Sequence, residues 1–431
     1  MRSPLLLTLA SVTPLIGCAA EPAEVSTTES AVSAHQYVQN RSGTAETYSL
    51  LGPMAELEAT NAFFKDMGTN GRTCVSCHSA AGGWTPSASD ELWKDSHGSD
   101  PLFMTTHDVG VCPDSDITKK GDPRRAMKLL IERGLTRASV AVKATAEFEV
   151  VAVDDPYACS TTSTTAFFGY RKPNPTVGIA QKTSVTWAPA PQPDMVATLK
   201  GLVVGATRLH GQTTYTPTDE EQTEGADFML HTYFAQVVDD HAGRLDVDGA
   251  RGGPVHLANQ DWYPGINHAS TGPTTRKVFD IYDAWSGDDR KHRALIAEGQ
   301  AIFNFRQNAN GGTCSGCHNS PNVGTHSVYR LFDIGVVDIA DPDLPRVTLR
   351  NKTTGELRVV SNLGRAAATG LWSDVGKMKV PTLRGLSSRA PFFSSGQAKS
   401  LRDVVDHYDA RFGFGYTTRE RDALVAFLAA L

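Results

Sequence analysis

Cys74-Val75-Ser76-Cys77-His78 and Cys314-Ser315-Gly316-Cys317-His318 are the two stretches on which the reading of the chain turns. Two thiols at this spacing reach the two vinyl groups of one haem, and the following His faces the iron as proximal ligand. One covalent haem c is therefore expected on Cys74, Cys77 and His78, and a second on Cys314, Cys317 and His318. A zinc site would want four ligands, whereas each motif offers three and the two lie far apart in sequence. The preceding segments, Thr69-Asn70-Gly71-Arg72-Thr73 and Asn310-Gly311-Gly312-Thr313, are alike and support a common role.

Outward from the motifs the periodicity is mostly helical. Residues 57–67 read as a helix running into the first motif, and 122–133 as another closed by Gly134. Residues 139–153 are richer in Val, Ala and Phe and read as a strand, with 162–170 as its hairpin partner. Residues 194–210 and 218–238 are helical by period, the second opening on Thr218-Asp219-Glu220-Glu221. The Gly-, Pro- and Asn-rich 249–275 reads as a domain joint. Residues 277–285 and 290–305 are expected as helices feeding the second motif, and 400–412 and 417–431 as closing helices. The expected fold is mainly α: two class I cytochrome c-like haem domains, 51–260 and 276–431, with a small β-hairpin insertion.

The chain has 431 residues, too many for one ordinary core, and a net charge of -6 that gives a nucleic-acid partner no basic face. Met1-Arg2 and the apolar run to Ile16 form a targeting segment of roughly a dozen apolar residues, too short to span a bilayer. Leu15-Ile16-Gly17-Cys18 resembles the cleavage box of bacterial lipoproteins, making 1–17 a signal peptide and Cys18 a lipid anchor. An ordinary secretory cut near Ala20 is the alternative, and either exports the chain to the periplasm or cell envelope. Polar, aperiodic residues 18–50 read as a flexible tether. Of the seven cysteines, Cys112 and Cys159 remain, an even pair in an oxidising compartment where disulfides persist. A bond between them would close a loop of roughly 50 residues and stabilise by about 4 kcal/mol.

The C-terminal third carries a resemblance. It reads Met378-Lys379-Val380-Pro381-Thr382-Leu383-Arg384-Gly385, then Arg389-Ala390-Pro391-Phe392-Phe393, then Ser400-Leu401-Arg402-Asp403-Val404-Val405-Asp406-His407-Tyr408. Looser matches are Gly68-Thr69-Asn70-Gly71-Arg72, Pro175-Thr176-Val177, Thr186-Trp187 and Ala206-Thr207-Arg208-Leu209-His210. In these stretches the sequence is similar to the di-haem cytochrome c peroxidase and MauG family. The resemblance implies that the haem on His78 reacts with peroxide, that the haem on His318 is six-coordinate and passes electrons, and that Trp187 lies between them. The position of Tyr408 is a Met in the bacterial peroxidases and a Tyr ligand in MauG-type members. Two departures stand out: Pro391-Phe392-Phe393-Ser394-Ser395-Gly396 lacks the family's His, and Trp187-Ala188-Pro189-Ala190 lacks the Asp, Gly and Arg of Trp-Asp-Gly-Arg.

With that acid and arginine gone, His210 is the candidate proton carrier at the first haem, or a sixth ligand there. His97, Met104 and His107 follow the first motif at a distance from which a loop can fold back and close the iron. Trp187 is the candidate electron relay. Tyr408 competes with Met378 and His407 as sixth ligand of the second haem, and Arg384 is the candidate partner of a haem propionate. His326 is expected to hold a structural hydrogen bond. The expected cofactors are two haem c groups, with Ca2+ as a further candidate. The expected activity is reduction of hydrogen peroxide with electrons from a small donor protein, a cytochrome or cupredoxin. The alternatives are a non-catalytic electron-transfer cytochrome and a MauG-like oxidase of a protein substrate.

Overall fold

The computed structural model describes residues 35–86, 89–104, 123–157 and 165–431. Among the described residues helix accounts for 36% and strand for 17%, so helix leads, but their strands gather into four sheets rather than one small insertion. The largest begins inside the expected tether. His35–Asn40 and Gly43–Ser49 pair as a hairpin, and Gly43–Ser49 then pairs antiparallel with Thr232–Asp239. Ala45, Glu46, Thr47 and Ser49 are buried there, so the tether expectation fails from residue 35 onward. Few apolar residues mark this stretch, and its Thr- and Tyr-rich alternation is the signal that counted.

Helices formed where the sequence supplies caps. Met195–His210 starts at Asp194, whose side chain accepts from Ala197 N–H, and Asp219–His231 starts with a Thr218/Glu221 capping box. The second was expected to continue to residue 238, but it stops at His231. The next residues, Thr-Tyr-Phe-Ala-Gln-Val-Val-Asp, are β-branched and aromatic and form the central strand of the sheet. Between the helices and the first motif lies an aromatic cluster of Phe63, Trp84 and Phe228.

The expected strand 139–153 is two strands in two sheets. Thr136–Ala141 pairs with Ala166–Arg171, close to the expected partner. Phe148–Asp154 instead pairs with Arg346–Asn351, which pairs with Leu357–Val360. The turn at Lys143–Ala146 separates them, and the second sheet ties the two halves of the chain together. The joint expected at 249–275 is also packed: Gly253–Ala258 is a short helix whose Leu257 is buried with Tyr233, Ala235 and Val323.

In the C-terminal half, Lys291–Phe305 and Thr418–Ala429 are helices as expected, and they cross at Gly299. The expected helix over 277–285 is absent apart from one turn at Asp283–Trp285. Two buried amides of the neighbouring helix explain this. Asn304 Oδ1 accepts from Val278 and Phe279 N–H, and Gln300 Oε1 accepts from Tyr282 N–H, replacing the helical bonds. Phe279, Tyr282 and Trp285 thereby enter one core with Phe303 and Phe427. A Cβ added at Gly299 would overlap the Ala423 carbonyl. Gly299→Ala should therefore destabilise by about 2 kcal/mol despite Ala's better helix propensity. A chemical-denaturation midpoint at or above wild type would show that the helices part freely.

Candidate haem-binding sites

The second motif sits on a short turn of helix, Cys314–Cys317, after a tight loop in which Asn308 Oδ1 accepts from Asn310 and Gly312 N–H. His318 is buried, and its Nδ1–H donates to the Gly324 carbonyl at 2.5 Å. A carbonyl only accepts, so the proton is on Nδ1 and Nε2 keeps its lone pair for a metal. Burial pushes this imidazole down to about 4, which keeps it neutral. The Cys314 thiol is pushed up to about 11 and that of Cys74 to about 12, both by burial. Burial thus keeps these thiols un-ionised.

His318, Cys314 and Cys317 open on a cavity of about 330 Å³, whose wall includes Phe303, Val405 and Leu424. Tyr408 and Met378 line the same cavity. Tyr408 comes from the helix Leu401–Phe412, with its ring stacked on Phe412 at 5.9 Å and near Phe393 at 6.4 Å. Burial raises its phenol above the ordinary value of about 10. His407 turns its Nε2 to the Ile334 carbonyl at 3.0 Å and does not line the cavity. Trp187 is also in the wall; its Nε1–H donates to the Lys172 carbonyl at 2.6 Å, and its own carbonyl accepts from Lys379 N–H. The residues fit a haem c: two un-ionised thiols, a neutral imidazole oriented through Nδ1, and a large apolar hollow.

At the first motif, Cys74–Ser76 is a single tight turn closed by a Thr73/Ser76 capping box. The His78 Nδ1–H donates to the Trp84 carbonyl at 3.0 Å, and burial pushes its imidazole down to about 4, helped by nearby His210. The structure thus brings His210 beside this motif. The Asn70 side chain donates to the His210 carbonyl at 2.8 Å, and Gly68 meets Gly211 closely enough that a Cβ there would stand 2.5 Å from its oxygen. Arg72 donates to the carbonyls of Pro101 and Met104, both at 2.8 Å, fastening that segment to the motif. Leu102 and Phe103 then pack with Met127, Leu130 and Ile131 against Cys77. Met104 is itself exposed, and His97 ends its helix at φ +49°. His107, Cys18, Cys112 and Cys159 lie outside the described residues.

The two sites are joined through Trp84. Its carbonyl holds His78, and the next residue, Thr85, lines the cavity of His318. Arg384 is buried but lies outside the large cavity. Its Nε–H donates to the Asn322 carbonyl at 2.7 Å, beside a water-sized void of about 10 Å³. Lys172, Lys379 and Arg389 do line the cavity, and the sequence reading missed them. Nothing in a lysine's neighbours along the chain marks it as buried. His326 is buried, with its ring against Phe332 and His268. Among the described residues no three His, Cys, Asp or Glu gather into a metal-ion cluster, and no helix is long and apolar enough to cross a membrane.

No family model matches the chain. Part of it is similar to cytochrome-c peroxidase IdrP1 of Pseudomonas sp. (strain SCT), 32% identical over 174 residues, 36% of this chain and 43% of that protein. It is likewise 30% identical over 159 residues to the cytochrome c551 peroxidase of Pseudomonas aeruginosa, 37% of this chain and 39% of that protein. The chain thus spans less than half the length of the curated relatives it matches. A solved structure described as a MauG-like protein associated with microbial copper homeostasis aligns over 86% of each chain, with 14% identity and a TM-score of 0.39.

Proposed function

We propose that this relative of the cytochrome-c peroxidases is an exported di-haem c-type oxidoreductase that reduces hydrogen peroxide with electrons from a small cytochrome or cupredoxin. The observation that carries the reading is the pair of neutral Cys-x-x-Cys-His histidines, His318 buried and His78 half-buried, each with Nδ1 on a carbonyl, with His210 beside one and Tyr408 and Met378 in the cavity of the other. When bound, the haem irons supply the redox chemistry. Everything else falls to the chain. Cys74 and Cys77, and Cys314 and Cys317, form the thioether links, and His78 and His318 present Nε2 as ligands. Tyr408 or Met378 closes the second site. A phenol buried in an apolar wall ionises only beside a strong positive charge, and a ferric ion is such a charge. Tyr408 would then favour the oxidised state, and Met378 the reduced one.

The overall conversion consumes one peroxide, two electrons and two protons and yields two waters. His210, an imidazole beside the first motif, is the group that would move a proton between the peroxide oxygens. Trp187, in the wall of the second cavity, would be the relay that carries electrons toward the first site. Arg384 donates to the Asn322 carbonyl within the C-terminal half and would steady the segment that follows the second motif. The test is steady-state turnover of the holoprotein with a reduced small cytochrome or cupredoxin. Two donors oxidised per peroxide is the expected result. Electron exchange with the donor that peroxide does not accelerate would favour the electron-transfer cytochrome instead.

A further inference from the structure

Five cationic side chains are buried around the second cavity and the junction behind it: Lys172, Lys182, Lys379, Arg384 and Arg389, each 5–8% exposed. Among the described residues none of them forms an ion pair with an Asp or Glu. Their polar partners are main-chain carbonyls. Lys172 Nζ donates to Arg389 and Pro391, Lys182 Nζ to Val177 at 2.6 Å, Lys379 Nζ to Ser184 and Val185, and Arg389 Nη2 to Thr382. Buried like charges without counter-ions cost several kcal/mol each. An anion beside the cavity-lining members would offset that cost.

Three of the five, Lys172, Lys379 and Arg389, line the cavity itself. Lys172 has three N–H donors and gives two of them to carbonyls, at 2.6 and 2.9 Å, leaving one for a further acceptor. The anions a haem c brings into such a cavity are its propionate carboxylates. We propose that Lys172 and Arg389 are the propionate-binding wall of the second haem, and that the Lys172 charge raises that haem's reduction potential. This rests on the haem reading above. Arg384, a propionate partner expected from sequence, lies outside this cavity, whereas Lys172 and Arg389 line it. Burial, with the charges of Arg389 and Arg41 adding to it, drags the Lys172 ammonium down to about 7. A carboxylate alongside is what restores it. The Arg389 stem also presses on Gly83, where a Cβ would stand 2.5 Å from its Cγ. Arg389 therefore touches the loop of the first motif too, and Lys172 is the cleaner probe.

The experiment is spectroelectrochemical titration of the holoprotein, at fixed pH, on wild type, Lys172→Met and Lys172→Arg, with haem content checked by intact mass. Lys172→Met should shift the reduction equilibrium of the second haem about tenfold toward the oxidised form, about 59 mV lower for one electron. Lys172→Arg, which keeps the charge, should restore most of the difference. Should Lys172→Met not accumulate, Arg389→Gln should shift the same haem in the same direction. An unchanged second-haem potential in Lys172→Met with both haems attached would overturn the proposal. So would equal shifts in Met and Arg variants, because a purely structural lysine would give those. Absence of haem from the wild type would instead defeat the haem reading itself.

Discussion

The Cys314→Ala/Cys317→Ala variant should leave the cell with one haem instead of two and with a C-terminal half that no longer unfolds cooperatively. The reason is volumetric. The cavity against His318 is about 330 Å³ and its wall is largely apolar, so water is a poor filler. At about 24 cal/mol per Å³, leaving it empty costs about 8 kcal/mol. That is comparable with the whole stability of a domain, about 5–15 kcal/mol. On the proposed reading a haem would fill this space against Phe303, Val405 and Leu424, and its covalent attachment would keep it there. The corresponding Cys77→Ala change should weaken or abolish attachment at the first motif only. Intact mass counts the haems, and far-ultraviolet circular dichroism in denaturant reads the cooperativity. A double-Cys variant that keeps two haems, or loses one with an unchanged unfolding curve, would refute this.

His210→Ala should slow the oxidation of reduced protein by peroxide by about 100-fold or more, the usual range for losing a general acid–base. Peroxide reduction would need a group to move a proton between the two oxygens. The stretch Trp187-Ala188-Pro189-Ala190 brings no acid. His210 ends the helix Met195–His210, and its main chain is bonded to Asn70 of the loop that leads into Cys74. The main-chain part of that contact survives substitution, so haem content should not change. Stopped-flow mixing of reduced protein with peroxide measures the effect. If wild type reacts and His210→Ala reacts as fast, another group carries the proton.

The motifs themselves, and the helices that begin with a side-chain cap, were legible in the sequence. Asp194, Thr218 with Glu221, Ser400 with Asp403, and Thr417 with Glu420 each cap the helix that follows. These signals are local, and local signals survive folding. What was not legible depends on partners far away in the chain. Residues 277–282 stay extended because Gln300 and Asn304 take their N–H groups. Phe148–Asp154 leaves its expected hairpin and pairs instead with Arg346–Asn351, far along the chain. The strand Thr232–Asp239 carries its own β-branched signal, which a helical period extended from Asp219 overrode. At the sites, Cys74 to His78 and Cys314 to His318 announce themselves, whereas Lys172, Lys379 and Arg389 become visible only once their carbonyl partners are placed.

The most direct measurement is the electronic absorption and electron paramagnetic resonance of the oxidised and reduced protein, with and without stoichiometric peroxide. The expected result is two haem signals of different kind. The haem on His78 has an open position in at least one redox state, and peroxide changes it rapidly and drains electrons from both haems. The haem on His318 is six-coordinate throughout. Two low-spin haems in every redox state, both inert to peroxide, would contradict a peroxidase and leave a cytochrome that only passes electrons.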